Sequence, residues 1–134
     1  MIKKLINKIL SSEGHENINT PQNGEFTFEL FLEELHIGTL QLLNGRWYFN
    51  YTEDFKNQNK ILQLVDFPDK NKKYDTDSLW PFFRYRIPGL NQPQVKEIIK
   101  KESIDSTNEA ELLKKFGKRT IFNPFQLKVS HPNL

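Results

Sequence analysis

Apolar positions change period along the chain, and the changes divide it. Over residues 2–12, Ile2, Leu5, Ile6, Ile9 and Leu10 recur at helical spacing, with Lys3, Lys4 and Lys8 between them. That pattern predicts an amphipathic helix packed on its own domain. Ser12 to Gly24 is rich in Asn, Gly, Glu and Pro and reads as a mobile linker. Residues 1–24 are therefore expected to be a helix and linker, and 25–134 the folded domain.

From Glu25 the period becomes two. Phe26, Phe28, Leu30 and Leu32 alternate with Thr27, Glu29, Phe31 and Glu33, which predicts a strand with one buried face. Glu34 to Leu40 continues as a second strand after a bend or bulge. Asn44-Gly45 between Leu42-Leu43 and Trp47-Tyr48-Phe49 predicts a type I′ hairpin, whose two central residues need positive φ. Arg46 to Tyr51 would return with Trp47, Phe49 and Tyr51 on one face and Tyr48 on the other. Ile61, Leu62, Leu64 and Val65 suggest a further short strand, and Asp66 to Asp77 an exposed loop.

Helical spacing then resumes. Ser78 is a plausible N-cap, and Pro81 fits a first helical turn that Pro88-Gly89 ends. Gln92-Pro93-Gln94 opens a helix with Val95, Ile98 and Ile99 as its apolar stripe. Asp105 or Ser106 precedes another, in which Ala110, Leu112, Leu113 and Phe116 pack and Gly117 caps the C-terminus. Thr120 to Val129 reads as extended and carries Phe122, Phe125, Leu127 and Val129, the last three alternating as a strand that returns to a sheet edge. The expected fold is α+β: a small, curved, barrel-like antiparallel sheet with two or three packed helices, plus the N-terminal helix.

Composition narrows the chemistry. The 134 residues suit one domain. Lysine and arginine number 19 against 17 acidic residues, a net charge of +2, too balanced for binding driven by phosphate neutralisation. With no cysteine, disulfides, thiol catalysis and thiolate metal sites are excluded, and a cytoplasmic location is expected. Only His15, His36 and His131 could ligate a metal through imidazole, and His36 reads as structural. No nucleotide loop, nucleophile elbow or kinase triplet is present. Glu33-Glu34 point to opposite faces of a strand and read as a solvated edge. No catalytic residue, cofactor or metal is expected, nor a membrane role: the chain reads as a non-enzyme.

The unusual segment is Leu79-Trp-Pro-Phe-Phe-Arg-Tyr-Arg-Ile-Pro88. Its rings either plug one end of the sheet or anchor a protein contact. Trp, Tyr and Arg dominate interface hot spots because they join large apolar area to a polar handle. Arginine can also grip a carboxylate bidentately where lysine is a point charge. Trp80, Phe82, Phe83, Arg84 and Arg86 are thus the candidate partner-binding residues.

Several stretches resemble the N-terminal domain of HipA-type toxin kinases. They are Ile37-Gly38-Thr39-Leu40, Gly45-Arg46-Trp47-Tyr48-Phe49-Asn50-Tyr51, and the "PFF…RIP" run within Leu79–Pro88. Leu112 to Thr120, followed by Asn123-Pro124-Phe125-Gln126-Leu127, is similar to the ends of stand-alone relatives. The resemblance covers about residues 26–129. It implies a detached, HipS-like component of a HipBST-type toxin–antitoxin system. Such a protein would bind and modulate a separately encoded HipA/HipT-like serine/threonine kinase that lacks its own N-terminal domain. A HipB-like DNA-binding protein is a further implied partner. The alternative is an operator-binding accessory module using Lys96, Lys100, Lys101, Lys114, Lys118 and Arg119, although interleaved glutamates weaken the field of those cations.

Overall fold

The computed structural model describes residues 14–130, so the helix expected over 2–12 lies outside the described residues. Strands β1 (Glu25–Leu32), β2 (Leu35–Leu43) and β3 (Arg46–Tyr51) form an antiparallel meander. Asn44 and Gly45 make the expected hairpin, with φ of 47° and 85°. The exposed turn before β2 takes Glu33 through φ 53°. β4 (Tyr74–Thr76) pairs with β3, and β5 (Gln126–Val129) pairs with β1, giving the order β4-β3-β2-β1-β5. The sheet is open, with β4 and β5 as its edges, so the barrel-like expectation gives way to a one-sided sheet under helices.

Side-chain alternation carries one row across all five strands. Tyr74, Phe49, Leu40, Phe28 and Val129 are register partners on the inner face. A register shift beside Leu30 lets Ile37 and Gly38, neighbours in sequence, both be buried. Gly38 leaves room for the Phe49 ring, since a Cβ there would meet Phe49 Cζ at 2.5 Å.

Four helices complete the described fold: α1 (Glu53–Lys56), α2 (Pro81–Arg84), α3 (Pro93–Lys101) and α4 (Glu109–Phe116). α1 is capped by Thr52, whose hydroxyl accepts from Phe55 N–H. α4 begins after Asn108, whose side chain accepts from Glu111 N–H, three residues beyond Asp105. It buries Ala110, Leu112 and Leu113. Gly117 does cap α4, but with φ −85° rather than a left-handed turn. Its lack of a side chain matters because a Cβ would lie 2.4 Å from Leu113 O.

The structure corrects five local expectations. Ile61–Val65 is not a strand, and Val65 is 95% exposed. Local side-chain bonds hold its backbone instead of a ladder. Tyr51 OH accepts from Leu64 N–H at 2.8 Å, and the Gln58 carbonyl accepts from the amides of Lys60 and Ile61. Asp66–Asp77 is not wholly an exposed loop, because Phe67 is buried 4.2 Å from the Phe49 ring and Tyr74–Thr76 forms β4. Ser78 is not a cap. α2 starts from Trp80 without a side-chain cap: Pro81 fits the first turn, and Phe83 N–H donates to Trp80 O instead.

Within Thr120–Val129 only Gln126–Val129 is strand, and Thr120–Asn123 closes a turn. Residues 14–24 do not behave as a linker. His15 and Ile18 are buried, Asn19 bridges to Asn108, and Asn19 N–H donates to Thr107 O at 2.8 Å.

Candidate functional site

Leu79–Pro88 folds as one helical turn followed by tighter turns. Trp80 is extended, as a residue before proline prefers. Its carbonyl accepts from the amides of Phe83 and Arg84, and Tyr85 N–H donates to Pro81 O. Arg86 and Ile87 continue with bonds to the carbonyls of Phe83 and Arg84. Successive side chains therefore fan outward on several sides.

The five candidate residues separate accordingly. Phe83 is 0% exposed, with its ring 5.7 Å from Phe49 and 6.1 Å from Phe67. It has no surface to offer a partner in this conformation. Trp80 is half-buried, edge-on to Phe67 at 4.9 Å. Phe82 is half-buried against Phe125 at 5.8 Å. Both keep some surface.

Arg84 pairs within the chain, through Nη1 to Glu109 Oε2 at 3.3 Å. Glu109 is almost fully buried, and its Oε1 accepts from Thr20 Oγ1 at 2.8 Å. Thr20 Oγ1 in turn accepts from Trp47 Nε1 at 3.2 Å. The chain Trp47–Thr20–Glu109–Arg84 ties residues 14–24, the sheet, α2 and α4 together.

Arg86 is 3% exposed. Nη1 donates to Gly117 O and Lys118 O at 3.0 and 3.3 Å, and Nη2 to Asn123 Oδ1 and Phe125 O at 3.0 and 2.9 Å. All four acceptors are neutral, and Nε has no partner. Burial without a carboxylate pushes the guanidinium down to about 10, still charged at neutral pH. Arg86 thus clamps the 117–125 segment to α2.

That clamp builds one wall of a groove of about 380 Å3. Tyr85, Pro88, Phe116, Arg119, Ile121 and Phe122 also line it. Ile121 is 92% and Phe122 51% exposed. Sequence reasoning counted Phe122 in an extended Thr120–Val129 segment and so missed that Ile121 and Phe122 stand exposed outside the strand. The signal that could have found it is Asn123-Pro124, a turn former that separates Ile121-Phe122 from β5. Among the described residues, no three His, Cys, Asp or Glu side chains stand together as a metal set, and no helix is long and apolar enough to cross a membrane.

The family model for the HipA N-terminal domain matches residues 28–121 of the 134. The chain belongs to the HipA N-terminal domain family. The matched span runs from β1 through α4 to the groove wall at Ile121 and includes all of Leu79–Pro88. The HipA N-terminal domain is a non-catalytic module of its family, and its context is that of HipA-related toxin–antitoxin systems. A search of curated proteins returned no match.

Proposed function

We propose that this chain is a HipS-like, antitoxin-type regulator. It binds a separately encoded HipA/HipT-like serine/threonine kinase that lacks its own N-terminal domain, and holds that kinase in an unproductive form. The family match over residues 28–121 carries the reading. Trp80 and Phe82, half-buried and held against Phe67 and Phe125, support it as large rings already ordered at the surface. Ordered aromatic anchors bind with little loss of rotamer freedom. A HipB-like repressor would complete the assembly through the kinase.

Calorimetric titration of the full chain against such a kinase tests the reading. A stoichiometric complex with suppressed kinase activity is expected. Loss of a buried interfacial aromatic costs ~2–4 kcal/mol, so Trp80→Ala should weaken the complex about 30-fold or more. Because Trp80 also packs on Phe67, Phe82→Ala is measured beside it and the melting of both is recorded. No complex, or parental affinity in both folded variants, overturns the proposal.

A further inference from the structure

We propose that the groove between Tyr85–Gly89 and Phe116–Phe122 binds a peptide segment of a protein partner, in which an acidic residue is flanked by apolar side chains. The inference does not depend on that partner being a kinase. The groove combines three properties in one place. Its apolar lining is solvent-facing: Tyr85, Ile121 and Phe122 are exposed, and Phe116 and Pro88 lie half-buried beside them. Apolar side chains gathered in one groove give a partner apolar area to bury. A volume near 380 Å3 falls within the roughly 300–1,000 Å3 typical of ligand pockets, room for a few side chains rather than a whole helix.

Charge decides the occupant. The two ionic groups in the lining are Arg86 and Arg119, and the lining contains no carboxylate. The buried Arg86 has only neutral acceptors, so its charge is uncompensated by any carboxylate among the described residues. A buried cation without a counter-ion is costly, and an anion carried into the adjoining groove by a segment that displaces its water offsets part of that cost. Arg119 lines the same groove and is exposed, so its guanidinium can close bidentately on a carboxylate there. A basic or purely apolar segment would leave Arg86 as it is.

A selection of random peptides displayed on phage against the full chain tests this. The expected result is enrichment of Asp or Glu next to Leu, Ile or Phe. Synthetic winners should bind at least about tenfold more tightly than their Asn/Gln counterparts, and more weakly as salt rises. Phe122→Asp and Arg119→Glu alter exposed side chains, so both variants should keep the parental melting temperature and lose at least about tenfold in peptide affinity. Winners without acidic preference, winners that bind Phe122→Asp as they bind the parent, or no winners at all overturn the proposal. A concentration-dependent dimer abolished by Phe122→Asp overturns it in favour of a second copy of this chain.

Discussion

Replacing Arg86 separates the two energies that meet at that residue. In Arg86→Met the cation disappears and its four bonds go with it. Lys118 O keeps a second donor, Leu127 N–H at 2.9 Å, and Asn123 Oδ1 keeps Phe125 N–H at 3.1 Å. Gly117 O and Phe125 O lose most. Stripping a charged donor from the buried Gly117 O and the half-buried Phe125 O costs about 1–3 kcal/mol each at most, offset in part by release of the buried charge. The net expectation is a loss of roughly 2–4 kcal/mol, a large part of the 5–15 kcal/mol typical of a domain.

Arg86→Lys sharpens the test, because it keeps the buried charge but lacks the planar fork that spans four acceptors. It should destabilise at least as much as the methionine variant. Urea unfolding followed by tryptophan fluorescence measures both, and amide exchange at Leu127 reports loosening of the 117–125 segment. A lysine variant as stable as the parent would refute the idea that the four-point clamp, rather than the charge, holds this segment.

Two further outcomes follow from the sheet. In Gly38→Ala the new Cβ meets the Phe49 ring at 2.5 Å and Asn50 O at 2.8 Å, so a loss of roughly 2–3 kcal/mol is expected. An unchanged denaturation midpoint would contradict that close approach. Burial pushes the Tyr51 hydroxyl from 10.0 up to about 12. Its folded value lies above the unfolded one, so its contribution is intact below pH 10 and fades as pH rises to about 12. Two pKa units correspond to at most about 2.7 kcal/mol. Stability–pH curves for parent and Tyr51→Phe should therefore converge above pH 10, and parallel curves would count against it.

What the sequence made legible depended on how far each element's partners lay along the chain. The β2–β3 hairpin follows from Asn44-Gly45 and flanking alternation, a local signal, and its inner face is as expected. α3 and α4 show their stripes within a few turns. β4 is too short to alternate and is held by long-range matches: Tyr74 against Phe49, and the Arg46–Asp75 ion pair across the outer face. Phe67 looked like part of a charged loop because the aromatic core that receives it is assembled from β3 and α2. The same holds for the site. Aromatic and arginine content marked Leu79–Pro88, but separating Phe83 and Arg86 inside from Trp80 and Phe82 at the surface required knowing where Phe49, Gly117 and Phe125 would lie. Residues 14–24 misled for a related reason: polar composition concealed His15 and Ile18, and Thr20 meets Glu109 only in three dimensions.

Placing β5 beside β1 also sets an order of events during synthesis. The β1–β2–β3 meander can pair as soon as Tyr51 has emerged from the ribosome. The outer edge of β1, with Phe28 and Leu30 on its strand, has no partner until Gln126–Val129 is made. At ~5–20 residues per second the interval lasts several seconds, long enough for an open edge to meet another nascent chain. Expression that couples this chain closely to its neighbours, or slows its last codons, thus acts on a seam that the ribosome closes late.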